Sequence, residues 1–473
     1  MPIDDRLVEF GIWAPDEPVS VRVAGAEVEL EPRGDGFRSA VVPARPGDRY
    51  LYVVDGCERP DPASRSQPNG VRGPSEVVAI PEIRSGPRLA LEELVLYELH
   101  VGAFTPEGTF DAMIPRLASL RELGVTAIEL MPVATGPGNR GWGYDGLYVS
   151  APHPAYGGPA GLARLVDAAH AEGLGVVADV VYNHLGPGSE AIDAFGPYFS
   201  DEHTFWGNAL DYAQRGVREW AIQNAELFVG EYGIDGLRLD AVHAIVDDSP
   251  VHVLRELRDR VKALDPEAFV ISEMGPEDFR PLDEWGHDAM WLDSLHHHLH
   301  VLLTGEHEGY YESFGSIEGV VRELTREQPE RLVVCAQNHD QVGNRASGDR
   351  LPPAMHRVAL AVCLFSLSTP LLFMGEEYDE SRPFQFFTDH IDPEIAEATR
   401  AGRKREFENF ASFAGEVPDP QDEATFLRSK LEPRDADPFY RELLELRRSL
   451  PPELEARGEG DRLVLRRGGA ELA

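Results

Sequence analysis

Eight short apolar runs recur through the middle of the chain, each followed by polar or charged residues and then by a stretch with helical spacing. They are VLYELHVGAF (95–104), VTAIELMPV (125–133), GVVADVVYNH (175–184), GIDGLRLDAV (233–242), AFVISEM (268–274), HDAMWLD (287–293), RLVVCAQNH (331–339) and TPLLFMGEE (369–377). Strands this continuously apolar are buried on both faces, and their alternation with helices predicts a closed parallel (β/α)8 TIM barrel. The stretch VHVLRELRDRVKAL exemplifies the helices, with Ser249 as its predicted N-cap and Pro250 at the first helical position. Before the barrel, alternating runs such as VSVRVAG and RYLYVVDG, broken by Gly, Pro and Asp, predict a small β-sandwich. After the helix DPFYRELLELRRSL only about one strand, RLVLRR, is expected. The expected organisation is a sandwich over residues 1–85, a barrel over 86–436, and a short or truncated carboxyl-terminal segment over 437–473.

Composition narrows the function. With 44 basic and 82 acidic residues the formal charge is −38. Such a field disfavours nucleic acid, anionic membranes and phosphorylated substrates, while a neutral sugar is indifferent to it. The simplest reading of the acidity itself is a soluble or salt-tolerant surface. Cys57, Cys335 and Cys363 lack metal-ligand spacing, and the last two lie in apolar runs, so reduced core residues of a cytoplasmic protein are expected. The amino terminus shows no basic-then-apolar secretion signal, and no apolar run is long enough to span a membrane.

Three carboxylates stand at strand ends: Asp240, Glu273 and Asp340. Acids from different strands converging at one barrel mouth are what glycosidic bond cleavage needs. In the fourth run Arg238 and Asp240 share one face while Leu237 and Leu239 take the other. Arg238 and Asp240 should therefore point inward, the guanidinium keeping the carboxylate ionised for nucleophilic attack. Glu273 follows an apolar approach, which would raise its pKa and suit it to be a general acid. Asp340 could stabilise an oxocarbenium-like transition state without forming a bond.

The blocks DVVYNHLG, GLRLDAVH, ISEM and NHDQ, in this order, resemble the conserved regions of the α-amylase superfamily, glycoside hydrolase family 13. The resemblance runs from about Val95 to Gly375. It implies Asp240 as nucleophile, Glu273 as general acid/base, Asp340 as transition-state stabiliser, and retention of configuration. It further implies substrate contacts from Tyr144, His184, Arg238 and His339, a structural acid at Asp179, and an early-set, immunoglobulin-like amino-terminal domain.

Local stretches, among them LDAVHAIVDDSP with His243, DSLHHHLHVLLTGEHEGYY and NHDQVGNRASGDRL, resemble one branch of that superfamily. Its members cut the α-1,4 bond beside a terminal trehalose unit, so the implied substrate is a neutral maltooligosyltrehalose. Three departures stand out: Ser294 follows Asp293 where the branch tends to pair acids, MGPED follows Glu273, and only about one strand, RLVLRR, is expected at the carboxyl end where members usually finish with a β-sandwich of several strands. Neither a cofactor nor a metal is expected. No oxygen-rich calcium loop is apparent, and in the tract His296–His300 a bond from His297 or a neighbour to sugar hydroxyls is expected rather than a metal site. Trp142, Trp206 and Tyr310 are candidate stacking platforms or core residues, and the acidic run Glu416–Glu423 reads as a solvated loop. A glycogen branching enzyme with the same triad, and a non-catalytic barrel serving as a scaffold, are the alternatives.

Overall fold

The computed structural model describes residues 6–275, 277–407 and 417–473. Eight parallel strands close into a barrel. They are β1 (Leu96–Leu99), β2 (Ala127–Leu130), β3 (Gly175–Val180), β4 (Gly236–Leu239), β5 (Phe269–Ser272), β6 (Ala289–Trp291), β7 (Leu332–Cys335) and β8 (Thr369–Phe373). Each of the eight apolar runs supplies one strand, but a shorter one than its apolar span. Residues 101–104 of the first run already turn into helix.

Alternation along these strands builds the barrel interior. Leu96, Ala127, Val177, Ile271, Trp291, Val333 and Leu371 form an apolar plug. Two residues further along the same faces come Glu98, Glu129, Asp179, Glu273 and Asp293. Period-two geometry therefore places a ring of acids on top of an apolar floor. Leu237 and Leu239 join the larger core outside the barrel, as the alternation in β4 requires.

Residues 6–76 form two antiparallel sheets, one of three strands and one of five. Arg6–Trp13 pairs with Phe37–Ala44 in the first, and Val19–Val23 with Arg49–Val54 in the second. Trp13 ties these sheets to the barrel helix Arg215–Gly230, where a Cβ on Gly216 would come within 1.9 Å of the indole.

Two expectations are corrected. The helix after β4 is Val253–Leu264, capped by the His252 ring, which accepts from Leu254 N–H at 3.2 Å. Ser249 does not cap it: the loop before the helix is held by Asp247, which accepts from Ser249 and Val253 N–H and from Arg218. At the carboxyl end, helix Pro438–Ser449 is followed by three antiparallel strands, Glu455–Glu459, Arg462–Arg467 and Ala470–Leu472, rather than one. The flanking strands are short, and Glu455–Glu459 is mostly polar, so they left little apolar signal. Glu416 of the acidic run, Pro276 after Glu273, and the last three residues of AGRKREFENF lie outside the described residues.

Candidate active site

Arg238 organises the site. It is fully buried, and its guanidinium lies 4.2 Å over the Trp291 ring. One terminal nitrogen donates to both Asp179 oxygens, at 3.0 and 2.9 Å, and to Asp240 Oδ1 at 2.8 Å; the other donates to Glu273 Oε2 at 2.7 Å. A buried cation needs such compensation, and these carboxylates hold it well above its usual pKa against the opposing effect of burial.

Asp240 lies one residue past β4, its other oxygen accepting from Asn183 Nδ2 at 2.8 Å. Ala241 then adopts a left-handed conformation (φ 40°, ψ 50°), rare for a residue with a Cβ. The turn carries Ala241 N–H to Glu273 Oε2 at 2.9 Å. Glu273 does not have the apolar setting expected for it, because the turn after β4 and the Arg238 fork close over one carboxylate oxygen. Its Oε1 has no partner among the described residues.

Asp340 is not on a strand end but in the first turn of the short helix His339–Gly343, capped by Asn338, which accepts from Gln341 N–H at 2.8 Å. Its Oδ1 accepts from Asn344 at 2.8 Å. Side-chain exposure rises from 11% at Asp240 through 19% at Glu273 to 31% at Asp340. The proposed nucleophile is thus the deepest and the proposed stabiliser the most accessible.

A second chain of bonds supports this layer. Tyr144 donates its hydroxyl proton to Asp179 at 2.7 Å and meets His339 Nε2 at 2.8 Å, the two rings stacked 5.3 Å apart. His339 donates from Nδ1 to Glu98 at 2.5 Å. Burial alone would lower its pKa, but Asp340 and Glu98 outweigh it and raise the imidazole to about 10. An imidazolium therefore sits beneath the acids. Burial pushes Asp179 up to about 7, with Arg238 pulling the other way. It also pushes Asp293 up to about 7, reinforced by Glu273 and Asp340. Glu129 is driven upward too, by burial and Glu98.

Of the other sequence candidates, His184 bonds Asn183 and stacks on Trp206 at 5.1 Å, burial lowering its pKa. His243 is exposed on the turn Val242–Ala244 and is not joined to this network. Trp142 is a packing residue: it is buried, stacked on Phe384, and donates to Gln385 O at 3.0 Å. Tyr310 is exposed at the rim of a cleft of about 590 Å³, which Glu273, Asp293, His297, Tyr311 and Asp340 also line. One ring nitrogen of each of His296, His298 and His300 is engaged, by Ala336 O, Gly315 N–H and Glu306 respectively. Among the described residues no group of three or more His, Cys, Asp or Glu is placed to hold a metal.

The sequence reading missed Asn183, Glu98 and the cleft role of Asp293. Asn183 had a signal, since it sits beside His184 at the end of the β3 run. Asp293 had one too, at the end of the β6 run, but was read only as a departure from paired acids.

A family model for the α-amylase catalytic domain matches residues 60–196. A malto-oligosyltrehalose trehalohydrolase of Saccharolobus solfataricus is 40% identical across 91% of this chain and 82% of its own length. One from Deinococcus radiodurans is 42% identical across 89% and 76%. The crystal structure of a putative α-amylase from Salmonella typhimurium superposes with a TM-score of 0.88 at 37% identity, covering 100% of this chain and 91% of that one. A 1,4-α-glucan branching enzyme of Salinibacter ruber is 29% identical over 57% of this chain and 53% of its own.

Proposed function

The chain belongs to the malto-oligosyltrehalose trehalohydrolases of the α-amylase family, and from that premise we propose how its residues divide the work. The enzyme hydrolyses the α-1,4 bond next to the terminal trehalose of a maltooligosyltrehalose, releasing trehalose and a maltooligosaccharide. Asp240 attacks the anomeric carbon while Glu273 gives its proton to the departing glycosidic oxygen. Trehalose leaves, and a glycosyl ester to Asp240 remains. Glu273, now a carboxylate, takes a proton from water, whose oxygen attacks the same carbon and frees Asp240. Two inversions give net retention.

The observation that carries this reading is the Arg238 fork, which holds Asp240 and Glu273 on adjacent nitrogens of one planar group. Two carboxyls so joined suit the spacing of about 5–5.5 Å of a retaining pair better than the wider gap that accommodates a water between them. Oε1 of Glu273 is the oxygen left to carry the transferred proton. Asp340 and Arg238 supply opposite charges around the reacting carbon, and His339 and Tyr144 hold Asp179 and the floor of the subsite in place. Tyr144 and Trp206 offer rings to the sugar faces, His184 and His297 offer ring nitrogens to its hydroxyls, and His243 remains a candidate contact.

No cofactor enters these steps. The catalytic unit is taken as residues 86–436, flanked by the sandwich and the carboxyl-terminal segment. No helix among the described residues is long and apolar enough to cross a membrane; the charge and cysteine pattern support a cytoplasmic location. Maltotriosyltrehalose incubated with the purified protein tests the reading, with amylose in parallel. Free trehalose with maltotriose supports it, whereas new branch points in amylose without trehalose would make the protein a branching enzyme.

A further inference from the structure

Between β3 and the helix Arg215–Gly230 the chain builds an antiparallel hairpin, Phe199–Thr204 against Gly207–Leu210. A connection leaving the carboxyl end of a barrel strand opens on the active-site face. The hairpin therefore belongs to the same side of the barrel as the acids.

Its tip runs against ordinary turn chemistry. Two-residue tips favour Gly, Asn or Asp, which are small and tolerate left-handed backbone. Here the two tip residues are Phe205 and Trp206. The left-handed step falls instead on Gly207 (φ 121°). Thr204 ties the turn, its hydroxyl accepting from Trp206 N–H at 3.2 Å and donating to Gly207 O at 3.1 Å. Both aromatic side chains are thereby free of the backbone's demands, yet neither is spent on the core. Phe205 is 94% exposed, the most exposed large apolar side chain among the described residues, and Trp206 is 43% exposed. A ring held out in water adds almost nothing to the burial that stabilises folding. A turn that breaks its local rule without a packing gain marks a functional position.

The rings lead back to the nucleophile. Phe205 meets Trp206 edge-on at 5.6 Å, and Trp206 lies flat on the His184 ring at 5.1 Å. His184 bonds Asn183, whose Nδ2 donates to Asp240 at 2.8 Å. Phe205 is thus two ring-to-ring steps outward from His184, continuous with the site but beyond the ring that the acids address. His203 and Asn208, exposed and opposite each other across the hairpin, offer hydrogen bonds beside it. Exposed Asp201 and Glu202 on the same strand disfavour an anionic occupant. A flat apolar face with polar groups at its edge matches a pyranose ring and its hydroxyls.

Resting on the trehalohydrolase reading above, we propose that Phe205 is a substrate-binding residue, stacking on the apolar face of a pyranose ring of the bound maltooligosyltrehalose beyond the ring held at the acids. Trp206 fixes the angle of this platform through its contact with His184. Phe205 sets how tightly the sugar chain is gripped and takes no part in bond cleavage.

Initial rates on maltotriosyltrehalose are to be compared for the unsubstituted enzyme, Phe205→Ala, Phe205→Leu and Phe205→Tyr. Phe205→Ala should lower kcat/KM about three- to tenfold, with the loss carried by KM. Phe205→Tyr keeps the ring and should restore KM; Phe205→Leu is apolar without a flat face and should not. Thermal midpoints should stay together, since the side chain is exposed. Trehalose release by the unsubstituted enzyme tests the reading above separately; if it forms branch points in amylose instead, the same variants are compared on amylose. An unchanged KM in Phe205→Ala would overturn the proposal. So would a loss confined to kcat, or a KM restored by Phe205→Leu as fully as by Phe205→Tyr.

Discussion

Replacing Asp293 by Asn should make the protein more stable in alkaline solution and leave it unchanged in acid. Asp293 faces the cleft with Glu273 and Asp340, and burial followed by those two carboxylates lifts its pKa from 3.8 to about 7. Below about pH 3.8 the carboxyl is protonated both folded and unfolded, so it contributes no pH-dependent difference. As pH rises towards 7 the unfolded chain releases the proton while the folded one retains it, so folding loses free energy over this window. Above pH 7 the loss is constant. A shift of about three units corresponds to a ceiling of about 4 kcal/mol at 1.36 kcal/mol per unit. Part of it would reappear as Glu273 and Asp340 relax when their neighbour is neutralised, so a gain of about 1–4 kcal/mol is expected at pH 8. Asparagine is close in shape to the protonated acid and keeps the packing. Urea denaturation of both proteins at pH 4 and pH 8 measures the gain. Equal stability at pH 8, or a loss, would refute the view that like charge and burial strain this acid.

Other outcomes follow from the same geometry. Asp240→Asn should fold normally yet lose kcat on the order of 10⁴-fold or more, since a neutral amide replaces the attacking carboxylate; far-UV circular dichroism and the trehalose assay check both halves. Tyr144→Phe removes the hydroxyl shared by Asp179 and His339. At about 1–2 kcal/mol for a buried charge-assisted bond, kcat/KM should fall about 5- to 30-fold. His339 is raised from 6.5 to about 10 because Asp340 and Glu98 overcome burial. Its stabilising contribution is complete below about pH 6.5 and lost as pH rises through 10, so Tm should fall over that window and His339→Gln should flatten the fall.

Much of the barrel was legible because strand and function share one periodicity. The alternation that buries Leu237 and Leu239 also aims Arg238 and Asp240 inward, so their inward placement was legible in the sequence of β4. Bonds across barrel closure were not legible. His339 and Glu98 are 241 positions apart and meet only because β1 and β7 both flank β8. Asp340 was found by its block, but its place in a helical turn was not, since NHDQ reads equally as a strand end. The surroundings of Glu273 were misjudged for a related reason. Apolar neighbours in the chain say nothing of an arginine arriving from β4, or of the left-handed turn at Ala241. The carboxyl-terminal strands escaped because Glu455–Glu459 is mostly exposed and polar.

Asp240 and Glu273, joined on Arg238, are proposed to act as nucleophile and acid in a retaining cleavage that frees trehalose. Proton NMR during the first moments of maltotriosyltrehalose hydrolysis tests this most directly, because the anomeric signals of the new reducing end appear before mutarotation. Trehalose is expected together with maltotriose that is initially all α-anomer. Maltotriose appearing first as the β-anomer would mean that water attacks in a single inversion, and would contradict the nucleophile assigned here.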